Sequence, residues 1–283
     1  MVSSRLAAAV TFLLAPVAFA QPAAAQGFSN CQAIARALPD SLLVPVSTAT
    51  PVAAEYEVSI TYVGHSTFRI SAPDTTTIAT DYSGFAGSGP RPDVVTMNHA
   101  HSSHWTPYPD PEIPNVLPGW NPDGGQAEHF LTVGEVLIRN VPTDIRRYGG
   151  VEEGGNSIFI FEMAGLCIGH LGHLHQELSD AQIAEIGRLD VVFVPIDGSA
   201  TMNHGSMMRV VERLRSSLVI PMHWFSTLTL NQFVARTRDY GLAIDIRTEP
   251  TIRVSLNTLP EMPTLKDMTG TGTMALTIDP KMT

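Results

Sequence analysis

Cysteine, aromatic side chains, positive charge and long apolar runs are all scarce in this 283-residue chain. Only Cys31 and Cys167 are present, which argues against a thiolate nucleophile, since Cys167 lies in the apolar run "GLCIGH", where burial keeps a thiol inert. The pair leaves two structural readings open. One is a disulfide formed in an oxidising compartment; the other is two separate thiols, with Cys167 packed in a core. Lys and Arg number 17 against 27 Asp and Glu, a net charge of -10, and the densest basic spot is Arg146-Arg147. A chain so charged repels polyanions, which disfavours a nuclease or a nucleic-acid-binding module. Aromatics make up 7%, so Trp105, Trp120 and Trp224 serve as core residues as readily as pocket walls.

One apolar run is long, residues 6–20, and it falls short of the ~20 residues needed to span a bilayer. It follows Arg5, contains Pro16, and ends in A-x-A patterns at Ala18-Phe19-Ala20 and Ala23-Ala24-Ala25. Residues 1–25 therefore read as a secretory signal. The mature chain is expected in the periplasm or outside the cell, with no membrane attachment. Removing the signal takes away one Arg and no acid, leaving 16 basic against 27 acidic residues and a net charge of -11. What remains is long enough for one full core, and no repeat of roughly 20–50 residues is apparent.

Residues 26–55, rich in Ala, Pro, Ser and Thr, read as a leader. Residues 56–260 form the expected domain, and residues 261–283 a peripheral Pro/Thr/Gly-rich tail. Within the domain, "YEVSITYVG", "STFRIS", "TTTIATDY" and "DVVTMN" are short β-rich runs. Residues 106–127 carry six prolines before the pair Gly124-Gly125, the pattern of a substrate-facing flap. Strands resume at "HFLTVG", "EVLIRNV", "NSIFIFEM" and "GLCIGHLG". Helix and strand then alternate. Ser179 and Gln182 form a capping-box pattern ahead of a helix over 180–188. Met207, Val210, Val211 and Leu214 fall on one helical face. Thr229 and Gln232 repeat the capping pattern before a helix that Gly241 closes. The order describes two sheets with helices outside them, a layered α/β sandwich.

The ten histidines are clustered. His99, His101 and His104 leave the strand "DVVTMN" in "NHAHSSHW"; His170, His173 and His175 share "GHLGHLH"; His223 closes "VIPMHW"; His65 follows a strand in "VGHSTF". Imidazole is the commonest metal ligand and has to be held rigidly, which strand ends provide. His129 and His204 stand alone and are taken as surface residues.

These motifs, in order from "YVGHSTFRI" through "ATDYSG", "DVVTMNHAHSSHW", "GGNSIFIFEMAGLCIGHLGHLH" and "VVFVPIDG" to "VIPMHW", resemble the metallo-β-lactamase superfamily. The likeness is strongest to its branch similar to ascorbate-6-phosphate lactonase. The resemblance implies a four-layer αββα sandwich and a metal site. In the family's H-x-H-x-D-H loop, His99, His101 and His104 match ligands, while Ser103 stands at the acidic position. Where a further histidine is expected, the chain reads Ile145, with Asp144 adjacent as a possible substitute. His173 takes the place of the bridging aspartate, and His223 matches the last histidine. Two ligand triples stay open: His99, His101 and His173, or His104, His173 and His223. His175 is a candidate compensating ligand.

A carboxylate bridges two cations where a neutral imidazole binds one, so one zinc ion is expected in preference to two, with iron as the alternative metal. Asp81 is expected to orient ligand histidines, and His65 to touch substrate or donate a proton. The implied activity is hydrolysis of a small ester, lactone, amide or phosphodiester by metal-activated water. A mononuclear iron oxygenase and a non-catalytic binding protein remain the competing readings. The sequence is silent on oligomeric state.

Overall fold

The computed structural model describes residues 28–32 and 56–269. The expected signal at residues 1–25 and most of the 26–55 leader lie outside the described residues. Two sheets stack face to face. The first holds β1 (Val58–Gly64), β2 (Thr67–Ser71), β3 (Thr77–Ala79), β4 (Val94–Met97) and β5 (Asn115–Pro118). The second holds β6 (Phe130–Val133), β7 (Val136–Arg147), β8 (Gly150–Met163), β9 (Leu166–His170), β10 (Val191–Pro195) and β11 (Leu218–Met222). After these come β12 (Ala243–Ile246), β13 (Thr251–Val254) and β14 (Thr264–Asp267). β13 crosses back to the first sheet, whose order is β13-β1-β2-β3-β4-β5; the second runs β12-β14-β11-β10-β9-β8-β7-β6.

Side-chain alternation divides the apolar residues between layers. Phe68, Ile70, Phe159, Phe161 and Phe193 fill the space between the sheets. Ile158, Ile160, Val192, Val194 and Val219 face outward and meet the helices α1 (Asp180–Ile186), α2 (His204–Leu214) and α3 (Thr227–Thr237). On the outer side of the first sheet, Val95 and Met97 are covered by Ile113, Trp105 and Trp120. The architecture is the expected α/β sandwich. β10 and β11 are wholly buried, as parallel strands covered on both faces must be.

The expected capping box at Ser179 and Gln182 is present and starts α1 at Asp180. The buried face of α2 is Met207, Met208, Val210, Val211 and Leu214. Other expectations are corrected. The second capping box, at Thr229 and Gln232, is absent: Ser226 caps α3 by accepting from the Thr229 N–H, because the hydroxyl one turn earlier reaches the free amide first. The 106–127 segment is not loop throughout, since Asn115–Pro118 pairs in parallel with β4. The residues after 260 are not all peripheral, because β14 lies between β11 and β12 inside the second sheet. Among the described residues no helix is long and apolar enough to cross a membrane.

Cys31 and Cys167 form a disulfide with Cα atoms 5.9 Å apart, which resolves the open question about the two thiols. It joins segment 28–32 to the start of β9. Beside it, the Glu162 carboxylate accepts from the Ser29 hydroxyl at 2.5 Å, the Cys31 N–H at 3.2 Å and Arg139 Nε at 2.9 Å. Arg139 also donates to the Glu185 and Ile186 carbonyls at the end of α1.

Candidate metal centre

The strand ends facing away from the disulfide carry nearly all the candidate residues. β1 runs into His65, β3 into Asp81, β4 into the loop from Asn98 to Trp105, β9 into His173, β10 into Asp197 and β11 into His223. Ligand sites in open α/β sheets form at the carboxyl ends of strands for this reason. His65, Asp81 and His223 have φ of 54°, 43° and 53°. That left-handed conformation costs energy in non-glycine residues and concentrates at functional sites.

One nitrogen from each of His65, His101, His104 and His223 comes together within 4.8 Å of the others. His101 Nε2 and His223 Nε2 are 3.2 Å apart, close to the about 3.3 Å that separates two imidazole ligands of one tetrahedral zinc with bonds of about 2.0–2.1 Å. The ring of His173 lies 5.0, 4.8 and 4.7 Å from those of His101, His104 and His223. His104 and His223 are fully buried, and His101 is the exposed member.

The nitrogens facing away from the centre are held. His104 Nδ1 lies 2.6 Å from Asp81 Oδ2, and Asn98 Nδ2 holds Asp81 Oδ1 at 2.8 Å. His223 Nδ1 lies 3.0 Å from Asp197 Oδ2, and Asp197 also accepts from the Thr201 hydroxyl at 2.5 Å. A carboxylate on Nδ1 leaves the Nε2 lone pair free for a cation. The Ser103 hydroxyl lies 2.8 Å from His101 Nδ1. Ser103 thus supports a neighbouring histidine from the position where the family places an acidic ligand. Nε2 of His65, His104 and His173 is buried without any hydrogen-bond partner. Buried polar atoms are ordinarily satisfied, so these orphans mark a centre that a bound group would complete, and of the three His65 and His104 belong to the set whose nitrogens lie within 4.8 Å of one another.

Protonation favours the same arrangement. Burial, followed by the neighbouring His223, His104 and His101, pushes His65 down to about 3. Burial and then His104 and His223 take His101 down to about 4, and burial with His104 lowers His173 further. His65, His101 and His173 are therefore neutral at pH 7, and neutral imidazole is the form that binds metal. Burial pushes Asp81 and Asp197 upward, but the electrostatic interaction of Asp81 with His104 and His170, and the hydrogen bonds from His223 and Thr201 to Asp197, outweigh it. Both carboxyls stay well below the ordinary range.

His99 is not brought into the group. Its ring stacks on Trp120 at 4.9 Å and its Nδ1 pairs with Glu152. Arg147 then ties Glu152 to the His99 and Ala100 carbonyls. The ligand triple built on His99 is thereby corrected: the tip of the β7–β8 hairpin holds this ring away from the centre. Asp144 is not there either, since its carboxylate accepts from the Gly154 N–H at 2.9 Å within that hairpin. His175 stands behind His173, with Nε2 at 2.6 Å from His173 Nδ1 and Nδ1 at 3.3 Å from Arg146 Nε. Neither His129 nor His204 is free on the surface; they bond the Pro118 and Ile196 carbonyls. His170 is engaged with the Ser66 carbonyl and the Gly172 N–H.

Sequence reading missed Asp197, although it stands in the motif "VVFVPIDG", and missed the two asparagines that join the loops. Asn98 Oδ1 accepts from the Ser157 N–H at 2.7 Å, and Asn156 Oδ1 accepts from the His173 N–H at 2.7 Å. Gly172, at φ 59°, passes so close to both amides that no Cβ fits. Phe225, 66% exposed, lies 5.4 Å from the His65 ring and 5.3 Å from that of His223, at the rim. A cavity of about 520 Å³ lies beyond Trp120, lined by Asn121, Gln126, Glu128 and His129 but by none of the clustered histidines.

A family profile described as beta-lactamase superfamily domain matches residues 59–223, which includes every clustered histidine. The chain belongs to that family. A protein of Methanoculleus marisnigri named UPF0173 metal-dependent hydrolase is 27% identical over 186 residues, 58% of this chain and 80% of its own length. A Pyrococcus furiosus protein of the same name is 26% identical over 190 residues, 59% of this chain and 84% of its length. Among solved structures, a metallo-beta-lactamase superfamily protein from Thermotoga maritima superposes with a TM-score of 0.55 at 24% identity. That match covers 74% of this chain and 97% of the other and supports the fold.

Proposed function

We propose that the protein is an exported, metal-dependent hydrolase that cleaves a small ester, lactone, amide or phosphodiester on one zinc ion. The observation that carries this is the convergence of His101, His104 and His223, each with Nδ1 held by Ser103, Asp81 or Asp197 and Nε2 turned inward. Three ligands leave a fourth position open, as catalysis requires. Zinc at this point would lower the pKa of a bound water toward about 7 and polarise the bond to be cleaved.

Asp81 and Asp197 fix the tautomer and orientation of their histidines. Hydrogen bonds hold Nδ1 of the three ligand rings, whereas none among the described residues holds the ring of His65. An imidazole without a fixed hydrogen-bond partner, set against the rim residue Phe225, suits a group that contacts substrate and handles a proton. Arg146 and Arg147, which bond residues beside the centre, are engaged with His175, Thr201, Glu152 and the metal-loop carbonyls. This supports a neutral substrate over a phosphodiester. Export rests on the apolar run at residues 6–20 and is supported by the Cys31–Cys167 disulfide, which persists in oxidising compartments. The names of the curated relatives support the hydrolytic reading.

The test compares chelator-stripped and zinc-reloaded protein on a panel of neutral aryl esters and lactones. Hydrolysis that returns with zinc and is lost in His101→Ala and His104→Ala is expected. Hydrolysis of equal rate in stripped protein, or none on any member of the panel, would sink the proposal.

A further inference from the structure

His173 occupies a position where a metal ligand is expected, yet its hydrogen bonds point to a different task. Arg146 Nε always carries hydrogen, so at 3.3 Å from His175 Nδ1 it can only donate, and that nitrogen accepts. A neutral imidazole bears one N–H. His175 therefore carries its hydrogen on Nε2, which lies 2.6 Å from His173 Nδ1 and donates to it. His173 Nδ1 is then the acceptor, and its single hydrogen resides on Nε2. That atom is buried, has no partner, and belongs to a ring 4.7–5.0 Å from those of His101, His104 and His223. The other rings have the opposite polarity. Asp81 and Asp197 accept hydrogen from Nδ1 of His104 and His223 and leave lone pairs at Nε2.

From this contrast we infer that His173 is not a ligand but a hydrogen-bond donor: the Arg146–His175 relay fixes its Nε2–H toward the oxygen that becomes negative during attack on a carbonyl. The inference rests on the hydrolytic reading above and assigns that same site a carbonyl substrate, an ester or lactone. In the step, the water oxygen forms the new bond to the carbonyl carbon, and the π pair moves onto the carbonyl oxygen, where His173 Nε2–H meets it. The pair then re-forms the carbonyl, and the bond to the leaving oxygen breaks. That oxygen takes the proton released by the water. His173 keeps its own proton throughout. Such a preset donor acts on the developing charge, and losing one typically lowers kcat about 100- to 1000-fold.

Three measurements on the zinc-reloaded protein separate donor from ligand. Titration with a competing chelator should find zinc affinity in His173→Ala within about threefold of wild type, while His104→Ala falls by more than about 100-fold. Long-range ¹H–¹⁵N correlation of the imidazoles should show His173 protonated at Nε2, and that signature should be lost or averaged in Arg146→Gln. With a neutral aryl ester, His173→Ala should lower kcat with little change in KM, and His173→Gln, which keeps an N–H, should recover part of it.

Loss of zinc from His173→Ala comparable to that from His104→Ala, or a bare Nε2 on His173, overturns the assignment. If wild type hydrolyses no ester or lactone while the correlation still shows Nε2–H, the hydrolytic reading falls and the relay stands. If it hydrolyses them and Nε2 is bare, the relay falls alone.

Discussion

The two ends of β9 hold buried polar groups under opposite rules. At its start, beside Cys167, each polar group of the Glu162 knot has found a partner: the carboxylate takes three donors, and Arg139 reaches it and two helix-end carbonyls. Past its other end, beside His173, buried nitrogens of three histidines converge with no partner at all, on backbone that includes strained residues. A satisfied knot of this kind contributes to stability. An unsatisfied cluster costs stability and persists where a ligand completes it. One strand of five residues thus separates the part of the molecule that holds it together from the part that acts.

The largest effect should come from breaking the satisfied end. Glu162→Ala leaves the Arg139 charge buried and unpaired, and should lower unfolding free energy by about 3–5 kcal/mol in denaturant titration. Reducing the Cys31–Cys167 bond, or replacing both cysteines with serine, should cost about 2–5 kcal/mol while leaving zinc binding at the far end unchanged. A loss of zinc in either variant would show that the two ends are not independent.

Next in size are changes at the unsatisfied end. Asp197→Asn and Asp81→Asn should each weaken zinc binding about 10- to 100-fold, measured by chelator competition. Equal affinity in both variants would mean that these carboxylates do not set the ligand tautomers.

A separate effect is the pH dependence of metal-free protein. His65, His101 and His175 titrate near 3, 4 and 4 when folded, all below their ordinary 6.5. Between about pH 6.5 and 4 the unfolded chain therefore binds more protons than the folded one. The contribution is fully present above pH 6.5 and is lost as pH falls through that window. Thermal melts of chelator-treated protein should fall steadily from pH 7 to pH 4.5, and a flat profile would contradict the depressed values.

Much of this was legible in the sequence because the signals are local. Alternating and buried apolar runs gave the strands, the Ser179–Gln182 spacing gave α1, and histidines at strand ends marked the centre. The misses share a physical cause, contacts made across long stretches of chain. Asp197 meets His223 26 residues later, and Glu152 removes His99 across 53 residues. Cys31 and Cys167 meet across 136 residues. None of these pairings leaves a spacing that can be read. β14 was passed over because four residues in a Pro/Thr-rich stretch carry little strand signal, and its place in the sheet is set by its neighbours β11 and β12. Ser103 looked like a missing ligand only because the loop motif was read without the geometry that sets it behind His101.

The most direct measurement is the metal content of mature protein purified without an affinity tag, reloaded with zinc and dialysed, alongside His99→Ala and His104→Ala. One zinc per chain is predicted in wild type, retained in His99→Ala and lost in His104→Ala. Two ions per chain, none after zinc loading, or loss in His99→Ala would contradict a single centre built on His101, His104 and His223.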